Sequence, residues 1–382
     1  MAILKRHSSI ESVMNLSGDM LAEIILRLPV KSVARSQCVS KNWCATISDG
    51  YLRRRLPLQL SVVYFPESSG GGKATPRFAC AEDGGMLVDR DLGFFPFLDG
   101  AVVCDACNGL LLLRSAGTAR FYVVDPVTRR WAALPPPSRD ARLSMLAFDP
   151  SSSSCGGDAS TSPRRGYHVV NFTGRWRERG GEVEVFSSEA WAWAPPRDVD
   201  FAGVPAGSLS GTMHFHGGAV YALAADPDCV VRMDVADDGD LTCAVAELPA
   251  DRAAADVDGR LAHSGGRLHY VASDGGCAGL KVWVLDDSSP AAIQWRLKHD
   301  VKLDNDEVRF MALHPEKDAA YVWTAAGRLV EYDLAREVVT GAWEFGDGGK
   351  RNRVVKAWLV PSSLYLSSDD SPLADAHVHV QC

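Results

Sequence analysis

Between residues 101 and 345 the chain repeats one pattern five times, and this constrains its fold more than any other feature. Each unit holds four short runs of alternating apolar and polar residues, set apart by Gly, Asp, Pro or Ser. In the first unit the runs are 101–104, 109–113, 120–124 and 130–134; in the fifth they are 308–313, 319–324, 328–333 and 338–345. The second runs begin near 109, 166, 218, 266 and 318, giving steps of 57, 52, 48 and 52. The long first step contains a Ser/Gly-rich insertion at 151–162, which reads as a loop. A single four-stranded unit cannot bury both faces alone, so units of this length stack on one another as blades of a β-propeller. Trp131, Trp193, Trp295 and Trp343 fall in the fourth runs, where they would serve as core aromatics packed between blades.

A ring of sheets must leave no long open edge, because unpaired strand backbone invites aggregation. Strand-like segments remain on both sides of the repeats: 60–65, 77–81 and 85–89 before them, and 354–361 with 364–366 after. Together they amount to one further blade drawn from opposite ends of the chain. The expected body is therefore an all-β propeller of six four-stranded blades over residues 58–366, the closing blade being composite. Residues 1–14 and 367–382 are expected to be a flexible N-terminus and tail.

The residues ahead of the body follow a different period. Met20, Leu21, Ile24, Ile25 and Leu28 form an amphipathic helical stripe, with Ser17 as N-cap, Asp19 in the first turn and Pro29 as the stop. Val30, Val33 and Ala34 suggest further helical turns, and Val39, Trp43 and Ile47 mark a third helix. A three-helix all-α head over residues 15–57 is at the lower size limit for independent folding. Its stripe is broad for so short a segment, which points to a partner that completes the core or, as the alternative, to packing of this helical cap on the body that follows.

The run Leu28-Pro29-Val30-Lys31-Ser32, followed by Cys38-Val39-Ser40-Lys41-Asn42-Trp43, resembles the F-box motif in its plant form. Ser17 stands where that family usually has Pro, and Ser36-Gln37 replace a common aromatic and basic pair. In the body, Cys107-Asn108-Gly109-Leu110-Leu111-Leu112, then Tyr122 through Trp131, is similar to the opening of plant F-box-associated, kelch-like propeller domains; so is Gly266 through Leu285. The resemblance implies the substrate-recognition subunit of an SCF (Skp–cullin–F-box) ubiquitin ligase. The head would dock on the Skp-family adaptor, and on cullin through it, while the propeller holds a protein target for ubiquitination. Carried over by position, the adaptor-binding residues would be Leu16, Leu21, Ile24, Leu28, Pro29, Val33, Val39 and Trp43. The resemblance implies no cofactor and no catalysis by this chain, and a place in the nucleus or the cytoplasm.

Charge is unevenly placed. Residues 1–57 carry nine Lys/Arg against four Asp/Glu, so of the total of −8 the remainder of the chain holds −13. An acidic body argues against nucleic acid as its partner. No apolar run approaches the roughly 18 residues of a membrane helix, and the N-terminus lacks a secretory core. Ten scattered cysteines show no disulfide framework.

Three constellations could carry chemistry. Cys104-Asp105-Ala106-Cys107 has no second ligand pair for zinc, and it runs into a strand instead of opening a helix. His214-Phe215-His216 puts two imidazoles on one strand face, half of a metal site with no further ligand fixed beside it. Arg164-Arg165 and the stretch Arg175-Trp176-Arg177-Glu178-Arg179 form a basic patch that could hold an acidic or phosphorylated peptide, or simply form a solvated hairpin tip. Arg175, Trp176, Arg177 and Arg179 are the candidate target-binding residues. No phosphate loop, nucleophile elbow or dinucleotide fingerprint occurs. The readings that compete with the receptor are an enzyme on a propeller scaffold and a metabolite-binding F-box protein acting outside degradation.

Overall fold

The computed structural model of the chain describes residues 17–28, 30–37, 39–48, 58–66, 75–82, 84–149, 166–236, 241–249, 259–273, 279–286, 294–303, 308–346, 352–361, 373 and 378–380. Leu16, Pro29, Cys38, the insertion at 151–162, Arg164, Arg165 and the run at 364–366 lie outside the described residues.

The head contains α1 (Gly18–Ile25), α2 (Val30–Gln37) and α3 (Lys41–Ser48), each of eight residues. Ser17 caps α1 as expected, its hydroxyl accepting from the Met20 amide at 3.4 Å, and Ser40 caps α3 by accepting from the Trp43 amide at 3.2 Å. α1 is shorter than its apolar stripe: residues 26–28 leave the helix as a turn before Pro29. The core of the head is Leu21, Ile25, Val33 and Ile47, with Leu26, Leu28 and Trp43 packed against it. Ser36, an unusual residue at its position, is buried and donates to the Ser32 carbonyl at 2.8 Å.

The body is built from strands. β1 (Leu58–Pro66), β2 (Arg77–Glu82) and β3 (Met86–Arg90) precede the repeats. The first repeat is β4 (Ala101–Cys107), β5 (Leu110–Ser115), β6 (Phe121–Asp125) and β7 (Arg130–Ala133). The second is β8 (Ala141–Phe148), β9 (Tyr167–Trp176), β10 (Gly181–Ser187) and β11 (Ala192–Trp193), with β12 (Arg197–Val199) also paired to β10. The third is β13 (Leu209–His216), β14 (Ala219–Ala225), β15 (Asp228–Val235) and β16 (Leu241–Glu247). The fourth is β17 (Arg260–Ser264), β18 (Arg267–Ser273), β19 (Gly279–Asp286) and β20 (Gln294–Lys302). The fifth is β21 (Val308–Leu313), β22 (Ala319–Thr324), β23 (Arg328–Asp333) and β24 (Val338–Phe345), followed by β25 (Asn352–Pro361) and β26 (Val378–Val380).

Local chemistry repeats with the strands. The hairpins joining first to second strands turn on Asn108-Gly109, Gly217-Gly218 and Gly265-Gly266, all at positive φ, the two-residue turn whose twist matches paired strands. Between third and fourth strands, Asp125 accepts from the amides of Val127 and Thr128, and Asp333 from those of Ala335 and Arg336. Each of these turns ends on a left-handed residue, Arg129 or Glu337.

Every repeat forms an antiparallel four-stranded path in chain order, and each described apolar cluster of the body is shared by two neighbouring sets. This face-to-face stacking is the arrangement of a β-propeller. The fourth-strand tryptophans take part in it. Trp193 Nε1 donates to the Pro135 carbonyl at 2.7 Å and Trp295 Nε1 to the Glu247 carbonyl at 2.5 Å, each reaching back to the preceding set.

The strands outside the repeats form one path, β3-β2-β1-β25, drawn from both ends of the body. It does not stand apart: β3 pairs in parallel with β24, Met86 opposite Glu344, so that these strands and the fifth set share an eight-stranded sheet. A correction concerns the expected flexible tail at 367–382. Leu373 is fully buried among residues of the first two sets, and β26 pairs with β7 as a fifth strand. Burial of one leucine and a backbone ladder hold what composition alone reads as a polar end.

Candidate functional site

The candidate target-binding residues lie on the sheet of the second repeat. β9 runs to Trp176 and β10 starts at Gly181, so Arg177 and Arg179 sit on the connecting turn. Trp176 is half-buried, its indole nitrogen donating to the Thr173 carbonyl at 2.8 Å. One edge of its ring lies on the backbone at Gly207, where a Cβ would come within 3.1 Å of the indole. The Arg142 guanidinium stands over the ring, 4.0 Å from its centroid. Arg142 and Trp176 border a pocket of about 250 Å³ whose other walls include Phe172, Phe201, Leu209 and Glu182.

The arginines divide by partner. Arg177 makes two bonds to Asp198, at 2.9 and 2.7 Å. Arg175 and Arg139 approach opposite sides of the Glu182 carboxylate, each at 3.8 Å, while Thr173 donates to it at 2.8 Å. Arg142 has an aromatic partner and no carboxylate partner among the described residues, and Arg179 is exposed. Arg175 and Arg177 thus each have a carboxylate partner on the same sheet, with most of either side chain in solvent. Among the described residues that line the pocket, the cation without a carboxylate partner is Arg142, which lies 34 positions before Trp176 and gives no local sequence signal.

The first strands of all five repeats, with β1 and β25, surround a second cavity of about 240 Å³. Asp105, on β4, pairs there with Lys356 of β25 at 2.5 Å. His214 Nε2 lies 2.9 Å from His263 Nδ1, and His216 stacks on His263 with centroids 4.4 Å apart. The strand alternation of His214 and His216 therefore holds; the third imidazole, from β17, arrives only through folding. Burial, followed by the neighbouring His263, holds His214 well below its ordinary range, and burial then His216 bring His263 down to about 4. Among the described residues no group of three His, Cys, Asp or Glu side chains is placed to hold a metal ion. Burial pushes the Cys104 thiol up to about 11 and the Cys107 thiol up to about 12, and Cys107 donates to the Phe148 carbonyl at 3.4 Å. These thiols stay protonated and are poor nucleophiles.

The head presents a separate surface. Leu21 and Val33, expected to meet an adaptor, belong to its own core, and Leu28 and Trp43 are half-buried against it. Of the six expected residues that are described, Ile24 (41% exposed) and Val39 (64%) face outward, and Met20 (57%) joins them. Three large apolar side chains are thus open to solvent on a small body.

Two family models match these regions. One, described as F-box domain, covers residues 13–55; the other, described as F-box protein At3g26010-like, beta-propeller, covers residues 98–345, more than half of the chain. The chain is an F-box protein with a β-propeller of the At3g26010-like family. This F-box protein is similar to F-box protein At3g26010 of Arabidopsis thaliana, 25% identical over 338 residues, which span 83% of this chain and 76% of the relative. It is likewise 25% identical to the putative F-box/kelch-repeat protein At1g15680 of the same plant, covering 85% of this chain and 83% of that one. A third relative, the putative F-box/kelch-repeat protein At1g13200 of Arabidopsis thaliana, is 31% identical over 141 residues, about a third (32%) of either chain.

Proposed function

We propose that this chain is the substrate-recognition subunit of an SCF ubiquitin ligase. Its head docks on a Skp-family adaptor, and its propeller, with six blades of which the last is composite, holds a protein target. The observation that carries this reading is an F-box head that leaves Met20, Ile24 and Val39 in solvent. An amphipathic helix set with aliphatic anchors is suited to a partner's apolar groove. Leu16, Leu28, Pro29 and Trp43 complete the proposed docking surface, while Leu21 and Val33 act by holding the helices together.

The target site proposed on the propeller is the pocket beside Trp176. Arg142 supplies a cation for an acidic side chain of the target and Phe172, Phe201 and Leu209 the apolar floor, with the exposed Arg179 on the turn after Trp176 as a second, outlying cation. The chain contributes no catalytic group in this scheme. Ubiquitin transfer would follow from proximity, the tethered target raising the local concentration of its lysines near the conjugating enzyme.

The deciding experiment is co-purification of the full chain with a Skp-family adaptor, compared with the double variant Leu28→Ala, Pro29→Ser. Wild-type capture and loss in the variant, with an unchanged propeller melt, is the expected result. Equal capture by both would remove the docking assignment.

A further inference from the structure

The strand β7 has an outer edge poorly suited to being left open. It is four residues long and carries one charge, Arg130, beside Trp131, Ala132 and Ala133. By contrast β20, the outer strand of the fourth set, bears Arg296, Lys298, His299, Asp300 and Lys302, and no strand is paired beyond it among the described residues. Charges of that kind keep an edge from recruiting other chains. β7 has Arg130 alone, and the chain covers it with β26, antiparallel, Val378 opposite Ala132 and Val380 opposite Arg130.

Five positions ahead of that ladder, Leu373 is fully buried (0% exposed) in the cluster that includes Cys107, Ala132, Leu134 and Phe148. The rest of that cluster comes from the first two sets, so Leu373 fills a hollow they make between them. A buried apolar anchor followed by a short backbone ladder is the two-part arrangement of strand addition. Backbone bonds supply affinity, and the anchor's pocket supplies selectivity.

We propose that the outer edge of β7, with the hollow that holds Leu373, is a capture site for an extended segment. The segment it fits has a leucine five positions ahead of a short β-branched strand, and the C-terminal segment is its resident occupant in cis. A tethered occupant has an effective concentration on the order of 1 mM, so a free segment of equal affinity gains entry only when the tail is released. As a strand-binding site this stands apart from the ligase; as a point of target recognition it rests on the receptor reading above.

The test uses the full chain with a specific protease site introduced between Ser368 and Asp369. A fluorescein-labelled peptide of residues 371–382 is titrated before and after cleavage and followed by fluorescence polarisation. Binding should tighten tenfold or more once the tail is cut, and the same peptide carrying Leu373→Asp should not bind. A cleaved protein that keeps its cooperative melt and ignores the wild-type peptide, or binds both peptides equally, overturns the site. Should cleavage unfold the chain, hydrogen exchange on the uncut protein decides. Leu373→Asp should speed exchange of the β7 amides and added peptide should slow it again; unchanged exchange overturns the proposal. Sedimentation of the wild type as a dimer that the peptide dissociates overturns the assignment to the same chain. None of these readouts involves the adaptor, so failure here leaves the receptor reading standing, and failure of adaptor capture leaves this site standing.

Discussion

Lys356 Nζ lies 2.5 Å from Asp105 Oδ1 and ties together two strands that stand 251 residues apart in the chain. The other carboxylate oxygen of Asp105 accepts from the Leu146 amide at 3.0 Å. One partly buried carboxylate thereby joins β25, β4 and β8, where the closing set meets the first repeats.

Replacing Lys356 with Met should cost about 2 kcal/mol, because it leaves the Asp105 carboxylate in a poorly hydrated place without its cation. Adding Asp105→Asn to that variant should recover part of the loss. Urea denaturation of the three proteins measures both effects; additive losses would show that the pair is not coupled.

Ending the chain at residue 351 should give an aggregating body, although no repeat is touched. β1 loses its neighbour β25, and an open central edge replaces a paired one. Size-exclusion chromatography with a thermal melt checks this; a monomer with an intact cooperative transition would refute it.

Ile24→Asp combined with Val39→Asp should abolish adaptor capture while leaving the head folded, since both side chains are in solvent. Val33→Asp should instead unfold the head, because it puts a charge into a core of four fully buried side chains. Amide spectra of the head region separate the two outcomes.

Arg142→Glu and Trp176→Ala should each weaken target capture at least tenfold, about 1.4 kcal/mol, without altering adaptor binding. Arg177→Glu should do less, because that arginine is already committed to Asp198. Affinity capture from proteasome-inhibited cells, quantified by mass spectrometry, ranks the three.

Stability should fall as pH is lowered from 6.5 towards 4. Burial first of all brings His263, His269 and His314 down to about 4, so in this window the unfolded chain binds protons that the folded one refuses. The contribution is complete above pH 6.5, and each such histidine removes up to about 1.4 kcal/mol of stability per pH unit on the way down. Melting temperatures at pH 7.5 and pH 5 should differ, and His263→Asn should flatten the dependence.

Most of the strand order was legible before folding because its causes are local. Alternation in runs such as 319–324, the Asn108-Gly109 turn and the Asp125 turn each act within a few residues, and the step near fifty repeats them. The head was legible in outline for the same reason: the spacing of Leu21 and Ile25 within α1 needs only helical geometry. Which of its apolar residues face inward was not, since a broad stripe on eight-residue helices leaves the packing angle to decide. Val39, expected to open the third helix, lies ahead of α3 in a turn and is 64% exposed, whereas Val33 within α2 is buried.

The relations that build the sites have no local cause. The stacking of Arg142 on Trp176, the approach of His263 to His214 and the seat of Leu373 each bring together residues from different strands, or different sets, whose distance is set by how sheets stack. The sequence by itself determined the repeating unit, its turns and the helical character of the head, because backbone preference and side-chain period operate over three to five residues. The closing set drawn from both ends, β25 beside β1, was expected from the strand segments left over outside the repeats; only the tertiary structure decided that β3 joins β24 and that Leu373 and β26 of the polar C-terminal segment are held. Those pairings satisfy edges that exist only once the sheets have stacked, so no stretch of sequence read alone could specify them.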